Sequence, residues 1–261
     1  MIMSIKGATK QFGGLTAVNN VTFDVEQGEL LGVIGPNGSG KTTLISLISG
    51  TLPLTSGEIV YDGKQLKKLP PFKRARMGIA RTFQIVKPLQ NLTVEDNIMT
   101  AALFGRSKYN LAQEVASCLS GGPAKNAYKD TDAILKKVSL EEKRDRFARN
   151  LTLPERKRLE VARALAMHPK ILLLDEVMAG LNLREVEETM DLIKSINSEG
   201  VTVIMIEHIM KVVMGLSHRV IVLNHGALIA NGSPEEVAND PEVIAAYLGS
   251  RFGKEKGGDK S

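Results

Sequence analysis

Short apolar runs of strand length alternate along the chain with stretches of helical periodicity. The runs at 30–34, 171–174 and 201–206 are almost entirely apolar, which is typical of strands buried on both faces of a parallel sheet. After the first two runs, apolar residues recur every three or four positions, at 44–48 and 186–196. This alternation predicts an α/β fold with a largely parallel core.

An antiparallel β part is predicted near the N-terminus. Ile2–Ala8 and Val21–Val25 are expected to be strands, joined by the polar stretch Thr9–Asn20. A further short strand is expected at Glu58–Tyr61, ending at a hairpin-type turn, Asp62-Gly63. Because these strands differ in direction from the buried runs, the core is predicted to be a mixed sheet.

Between residue 93 and about residue 161 the pattern is helical and shows no convincing strand. The stretch is long and is broken by Gly121-Gly122-Pro123, which indicates an inserted α-helical subdomain. The polar tail is expected to be disordered. The predicted division is an α/β core at 1–86 and 160–250, a helical subdomain at 87–159 and a tail at 251–261.

A glycine-rich loop follows the first apolar run and precedes the first predicted helix. Its sequence fits G-x-x-x-x-G-K-[ST], the phosphate-binding loop. Glycines let backbone N–H groups turn inward, and the N-terminus of the following helix favours an anion. Lys41 is expected to meet the β- and γ-phosphates, and the Thr42 hydroxyl to ligate Mg²⁺. The predicted phosphate contacts are Gly35, Pro36, Asn37, Gly38, Ser39, Gly40, Lys41, Thr42 and Thr43.

Polar residues with catalytic potential follow two other buried runs. Asp175 and Glu176 come after 171–174, and His208 comes just after 201–206. Since ligands gather at the carboxyl ends of parallel strands, these residues and the loop are expected to converge on one Mg-nucleotide. Asp175 would hold Mg²⁺ through water, and Glu176 would polarise the attacking water. Taken singly, an Asp-Glu pair is usually a solvated loop, and a lone histidine is more often structural.

The amino-acid composition limits which classes of partner and which cellular compartment are expected. The net charge is +5 and the pI about 9.2, but aromatic residues make up only 4% and no basic block stands out. The positive charge therefore suits nucleotide phosphates or an anionic membrane surface, and nucleic acid is not expected as a partner. The single cysteine, Cys118, fits a reducing compartment. Neither a membrane span nor a signal peptide is expected, so the chain is predicted to stay in the cytosol.

The order of these motifs resembles the nucleotide-binding subunit of an ABC transporter, from about Lys6 to Gly249. The matching segments are the phosphate loop, Gln84, residues 151–155 at the family's signature position, Leu174-Asp175-Glu176, Ala179–Asn182 and His208. The resemblance implies a P-loop NTPase fold of the ABC cassette type, with ATP and Mg²⁺ as ligands. It also implies roles for single residues: Phe12 stacks on adenine, Gln84 touches Mg²⁺ or the attacking water, Thr152 contacts the γ-phosphate of a second subunit's ATP, and His208 is the switch histidine.

The sequence departs from the family pattern at two places. The signature is normally L-S-G-G-Q, but residues 151–155 are Leu-Thr-Leu-Pro-Glu. Thr152 keeps a hydroxyl, whereas Leu153 and Pro154 replace both glycines, and proline has no N–H to donate. In addition, Val177 stands where a proline usually follows the catalytic glutamate, which is expected to be tolerated because that side chain does no chemistry.

Within the family, several features resemble the ATPase subunits of branched-chain amino acid importers. These features are Arg81–Gln84, Leu92–Asn97, the enlarged segment around 104–130 and Ile206–His208. ATPase subunits for urea and short amides, and the lipopolysaccharide-export ATPase, share several of them and stay open as alternatives. A soluble ABC ATPase acting on DNA or ribosomes is less favoured, because such proteins usually carry long coiled coils or two tandem cassettes.

The resemblance also implies partners. Two ATPase subunits pack head to tail, with each ATP between one phosphate loop and the other subunit's signature. The altered signature favours a heterodimer, although a homodimer stays possible. Permease subunits are expected to dock at the groove beside Gln84 and at the helical subdomain, on the cytoplasmic face of the cell membrane. An external substrate-binding protein would act indirectly.

Overall fold

The computed structural model describes residues 1–82, 88–105 and 122–247. Contacts between Cα atoms divide the chain into two compact units. The first unit contains Met1–Leu69 together with the chain from Thr202 onward, and the second contains Pro70–Val201. The boundaries predicted for the helical subdomain, at 87 and 159, stay a prediction.

The first unit contains most of the strands. Its elements in chain order are β1 (Met3–Phe12), β2 (Leu15–Val25), β3 (Leu30–Ile34), α1 (Lys41–Ser49), β4 (Ser56–Tyr61), β5 (Lys64–Gln65), β8 (Thr202–Ile206), α7 (Met210–Leu216), β9 (Arg219–Asn224), β10 (Ala227–Gly232) and α8 (Pro234–Ala238). A further helix covers 241–247.

An antiparallel sheet in the first unit has the strand order β2-β1-β4-β5. The sequence prediction of a polar connection at Thr9–Asn20 was wrong, because β1 and β2 run on through it to a turn at Gly13-Gly14. Register shifts interrupt the pairing of these strands, and Gly7 has a φ of +59°. The irregular register and the exposed strand ends break the two-residue alternation by which a strand is recognised.

The predicted parallel core is confirmed for β3 and β8, the two buried runs that lie in the first unit. The strands lie in the order β10-β9-β3-β8, with β3 parallel to both β8 and β9. Every residue of β3 and β8 is buried, as their continuous apolar sequences predict. Strands β9 and β10 pair antiparallel and form a hairpin near the C-terminus.

The second unit is mainly helical. Its elements in chain order are α2 (Pro71–Arg76), β6 (Ile79–Arg81), α3 (Val94–Gly105), α4 (Gly122–Lys137), α5 (Leu153–Leu165), β7 (Ile171–Asp175) and α6 (Leu183–Ser198), with short 3₁₀ turns at Glu141–Lys143 and Ala148–Asn150. Strands β6 and β7 are parallel neighbours.

Helices α3, α4 and α5 of the second unit share one apolar core. Ile98, Leu135 and Leu159 are fully buried in it, one from each helix. The helical region predicted from residue 93 is therefore confirmed where the structure describes it. No helix in the described ranges combines the length and the apolar character that crossing a bilayer requires.

Candidate functional site

The phosphate-binding loop connects β3 to α1 in the first unit, as predicted. Three of its glycines have positive φ: 147° at Gly35, 80° at Gly38 and 102° at Gly40. A Cβ on Gly35 would lie 2.0 Å from the Leu223 carbonyl oxygen, and a Cβ on Gly40 would lie 2.3 Å from the Ala17 carbonyl oxygen. Glycine is therefore required at Gly35 and Gly40 for two reasons. The positive φ disfavours any other residue, and the close approach of neighbouring backbone leaves no room for a side chain.

Two side chains of the loop point inward. Lys41 is buried, and its Nζ donates hydrogen bonds to the carbonyl oxygens of Gly35 at 2.8 Å and Pro36 at 2.9 Å. Ser39 Oγ is buried and has no hydrogen-bond partner among the described residues. A fixed ammonium and an unpaired hydroxyl beside the N-terminus of α1 fit a phosphate group. Thr42, the next residue, is exposed.

His208 lies at the same sheet edge as the phosphate-binding loop. Strands β3 and β8 are parallel, with Val33 opposite Ile206, so their carboxyl ends coincide. The loop begins directly after β3, and the exposed His208 follows β8 by two residues. The structure therefore brings the switch-histidine candidate and the loop to one end of the sheet in the first unit.

Asp175 ends β7 in the second unit and is almost completely buried. Its Oδ2 accepts a hydrogen bond of 2.8 Å from Arg81 Nη2, and Arg81 ends the neighbouring strand β6. Sequence reasoning assigned Arg81 to a subfamily motif but missed this ion pair. A signal was present, because an arginine that ends a short apolar strand needs a carboxylate when it is buried.

The other carboxylate oxygen of Asp175 indicates where a cation fits. Asp175 Oδ1 is buried and has no hydrogen-bond partner among the described residues. Hard oxygen ligands of this kind suit Mg²⁺, which typically takes one or two protein oxygens and completes its shell with phosphates and water. Within the described chain, no group of three or more histidine, cysteine or acidic side chains forms a metal site. The unpartnered oxygen of Asp175 fits a Mg²⁺ ion that takes its other ligands from phosphate and water.

Glu176 follows Asp175 in a left-handed backbone conformation, with φ of 51°. Its side chain is partly exposed, and its carbonyl oxygen accepts a hydrogen bond of 3.1 Å from Lys157 Nζ. A half-exposed carboxylate directly after a buried strand is accessible to a water molecule, as a general base must be. Sequence reasoning did not single out Lys157.

The signature segment, 151–155, forms the start of α5. Thr152 is the N-cap: Glu155 N donates to Thr152 Oγ1 at 3.5 Å, and Thr152 N donates to a Glu155 carboxylate oxygen at 2.8 Å. Pro154 occupies the first turn, where its missing N–H costs little. Partial burial raises the pKa of Glu155, but the Thr152 hydrogen bonds and the nearby Lys143 lower it more, so the net shift is downward. The T-x-x-E pattern could have predicted this capping box.

Phe12 and Gln84 are the two remaining predicted residues, and the structure describes only Phe12. Phe12 ends β1, is 46% exposed, and has Lys10 Nζ 5.0 Å from its ring centroid. An exposed aromatic ring of this kind is available for stacking on a base. Gln84 lies outside the described residues, as do the predicted tail and much of the enlarged segment around 104–130.

Comparison with protein families decides the identity of the fold. The family model described as "ABC transporter" matches residues 18–179. This chain belongs to the ABC transporter family. A second model, described as "Branched-chain amino acid ATP-binding cassette transporter", matches residues 227–253 of this ABC protein.

Curated relatives of this ABC protein cover nearly its whole length. It is 40% identical over 250 residues to the "High-affinity branched-chain amino acid transport ATP-binding protein LivG" of Escherichia coli (strain K12). The matched region covers 95% of this chain and 98% of the relative. The corresponding protein BraF of Pseudomonas aeruginosa is 39% identical over 249 residues, with the same coverage. Both names describe ATP-binding subunits of transporters.

Solved structures with the same fold are ABC cassettes. A nucleotide-free ATP-binding cassette from an ABC transporter matches with a TM-score of 0.80 at 28% identity, covering 94% of this chain and 98% of that one. The ADP conformation of the cassette MJ1267 matches with a TM-score of 0.80 at 27% identity, covering 95% and 98%. A dimeric post-hydrolysis state of MJ0796 with ADP and Pi has a TM-score of 0.76 at 25% identity, covering 89% and 99%.

These findings confirm the predicted fold class, the P-loop NTPase fold of the ABC cassette type with mixed sheets. They also confirm the predicted biochemical class: the protein is an ATP-binding ABC transporter subunit and an ATPase. ABC cassettes bind nucleotide and dimerise, as the ADP-bound and dimeric structures illustrate, and as a family they act with membrane permeases.

Proposed function

We propose that this chain hydrolyses ATP to drive the import of branched-chain amino acids through partner permeases. The observation that carries the proposal is its 40% identity, over 95% of its length, to a branched-chain amino acid transport ATP-binding protein. The match of residues 227–253 to the branched-chain cassette model supports the same substrate class. ATP hydrolysis supplies the energy, and the permease and an external binding protein supply the selectivity.

Nucleotide binding is assigned to the first unit. The N–H groups of the phosphate-binding loop and the Lys41 ammonium bind the β- and γ-phosphates, because they form a rigid cluster of donors beside the N-terminus of α1. Ser39 Oγ, which is buried without a partner among described residues, donates to a phosphate oxygen. Phe12 stacks on the adenine ring, and the Thr42 hydroxyl ligates Mg²⁺.

Hydrolysis is assigned to the carboxylates after β7, with help from two further residues. Asp175 Oδ1 holds Mg²⁺ through water, and when bound this ion neutralises charge on the transferring phosphoryl group. Glu176 accepts a proton from the attacking water. His208 hydrogen-bonds the γ-phosphate, and Gln84 contacts the Mg²⁺ or the attacking water. In each case the side chain orients or polarises the reactants.

The second ATPase subunit in the complex is proposed to be a different protein. In this chain the Thr152 hydroxyl and the Glu155 carboxylate already satisfy each other's backbone donors at the start of α5. A γ-phosphate presented by a partner would meet the carboxylate of Glu155 where the family has a neutral glutamine, and it would lack the N–H that Pro154 cannot supply. A partner with an intact signature therefore completes this chain's own ATP site.

If the functional complex contains a heterodimer, the purified chain alone should hydrolyse ATP slowly. We expect the purified chain to be mostly monomeric, and addition of the cognate sibling subunit and permeases to raise its turnover. Analytical ultracentrifugation and phosphate release measure the two effects. The double variant Leu153→Gly with Pro154→Gly, which restores both family glycines, is expected to raise dimerisation of the pure chain with ATP.

Brisk turnover by a pure homodimer would defeat the heterodimer assignment, and in that case restoring the two glycines should change little. A matched control is Leu183→Gly, which also replaces a strongly exposed leucine at the first position of a helix but lies outside the signature segment. Only the signature variant should change association.

The permease is proposed to bind at the groove beside Gln84 and at the helices of the second unit, on the cytoplasmic face of the cell membrane. The support is family membership, since ABC cassettes act with membrane permeases. An external substrate-binding protein delivers the amino acid to the permease and does not contact this chain.

The transported substrate is tested by uptake of radiolabelled leucine in cells with and without the gene. Deletion is expected to abolish high-affinity leucine uptake, and the wild-type gene but not Glu176→Gln is expected to restore it. Urea uptake in the same cells provides a matched comparison, because urea and short-amide importers use similar ATPase subunits. Leucine uptake that survives deletion while urea uptake disappears would reassign the substrate to urea.

A further inference from the structure

The segment that follows β7 holds Glu176 in a strained conformation. A φ of 51° is unusual for a residue with a long side chain, and such conformations cost about 1–3 kcal/mol unless the surroundings fix them. The next residues form a tight turn, in which Ala179 N donates to Glu176 O at 3.2 Å and Leu181 N donates to Met178 O at 3.2 Å. Contacts from outside the turn are therefore needed to keep Glu176 in the left-handed conformation.

Lys157, in the second turn of α5, contacts the strained residue directly. Its Nζ donates a hydrogen bond of 3.1 Å to the carbonyl oxygen of Glu176. The lysine is only 8% exposed, and its hydrogen bond to Glu176 is partly buried. A buried ammonium requires strong acceptors, and a carbonyl that turns toward it in the left-handed conformation is such an acceptor.

A second contact joins the same two segments. Gly180 has a φ of +78°, and a methyl group placed on it would lie 3.2 Å from Leu153 Cδ2 at the start of α5. Leu153 therefore packs against the end of the turn while Lys157 holds its beginning. The first two turns of α5 therefore contact the segment 176–180 at both of its ends.

We propose that Lys157 is a positioning residue for hydrolysis: it holds the Glu176 backbone in the left-handed conformation that aims the carboxylate at the attacking water. The inference rests on the proposed function in that it takes Glu176 as the general base. Lys157 acts through the Glu176 backbone. Its effect falls on the rate of hydrolysis and leaves nucleotide binding unchanged.

The test compares Lys157→Met with wild type in the complex co-purified with the full chain. We expect kcat to fall at least tenfold while KM and the Kd for Mg-ATP stay within about twofold. Lys157→Arg, which keeps a cationic donor, is expected to retain most of the activity. Hydrogen exchange in the nucleotide-free chain should show faster exchange of the amides in 177–181 in Lys157→Met alone.

Arg158→Met is the matched control, because it removes a cation from the next residue of α5 and breaks the ion pair with Glu188, away from Glu176. Equal losses in both variants, unchanged exchange at 177–181, or a Lys157→Met kcat within twofold of wild type would overturn the proposal. If Glu176→Gln hydrolyses ATP normally, the proposed general base is wrong. The exchange measurement still decides whether Lys157 holds the segment, and Lys157→Gln, which removes the charge and shortens the side chain, replaces the methionine variant if that variant does not fold.

Discussion

Glu176→Gln is expected to bind Mg-ATP normally and to hydrolyse it at least about a hundredfold more slowly than wild type. The amide keeps the size and shape of the side chain but cannot accept a proton from water. Glu176 is half-buried and lies directly after the Mg²⁺ candidate Asp175, so the change leaves the buried core unaltered. Phosphate release in the assembled complex measures the rate, and calorimetry measures the affinity.

The matched control is Glu187→Gln, which makes the same chemical change at an exposed position on α6. It should hydrolyse ATP at the wild-type rate. Asp175→Asn is expected to behave differently, because it removes charge from the proposed Mg²⁺ contact and from the partner of Arg81. Its nucleotide affinity should fall in the presence of Mg²⁺ and stay unchanged in excess chelator. Hydrolysis by Glu176→Gln within a few-fold of wild type would refute the assignment of the general base.

Lys41→Ala is expected to weaken Mg-ATP binding at least tenfold, which corresponds to about 1.4 kcal/mol. The substitution removes the charge that meets the β- and γ-phosphates. It also removes the two hydrogen bonds to the carbonyl oxygens of Gly35 and Pro36, so the loop loses an internal brace. Calorimetry with Mg-ATP measures the affinity, and thermal unfolding without nucleotide shows whether the fold is retained.

Lys64→Ala serves as the control for Lys41→Ala, since Lys64 is an exposed lysine on β5 of the same unit. It should leave the affinity unchanged. Lys41→Met keeps the apolar stem and should lose as much affinity as the alanine variant if the charge is what matters. Wild-type affinity in both Lys41 variants would contradict the role given to this side chain.

The parts of the fold that the sequence predicted correctly are those where one segment determines its own structure. The apolar runs before Gly35 and Asp175 are buried strands, and the glycines of the phosphate loop have the positive φ angles that its tight turn requires. In each case the signal lies within a few residues, so no knowledge of the tertiary fold was needed.

The parts that were missed depend on contacts between distant segments. The hydrogen bond from Lys157 to Glu176 spans 19 positions and the ion pair of Arg81 with Asp175 spans 94, and no local pattern reports either. The extension of β1 and β2 through Thr9–Asn20 was missed because irregular register hides strand alternation. The capping box at Thr152 was overlooked because the segment was compared with the family signature and not with a helix start.

The central claim is that ATP hydrolysis at this chain's site drives leucine import. Its most direct test is the accumulation of radiolabelled leucine in vesicles that contain the purified complex, with ATP in the lumen and the binding protein outside. We expect ATP-dependent accumulation of leucine with the wild-type chain and almost none with Glu176→Gln, although both complexes bind ATP. Equal accumulation with the two chains, or wild-type ATP hydrolysis without any leucine entry, would contradict it.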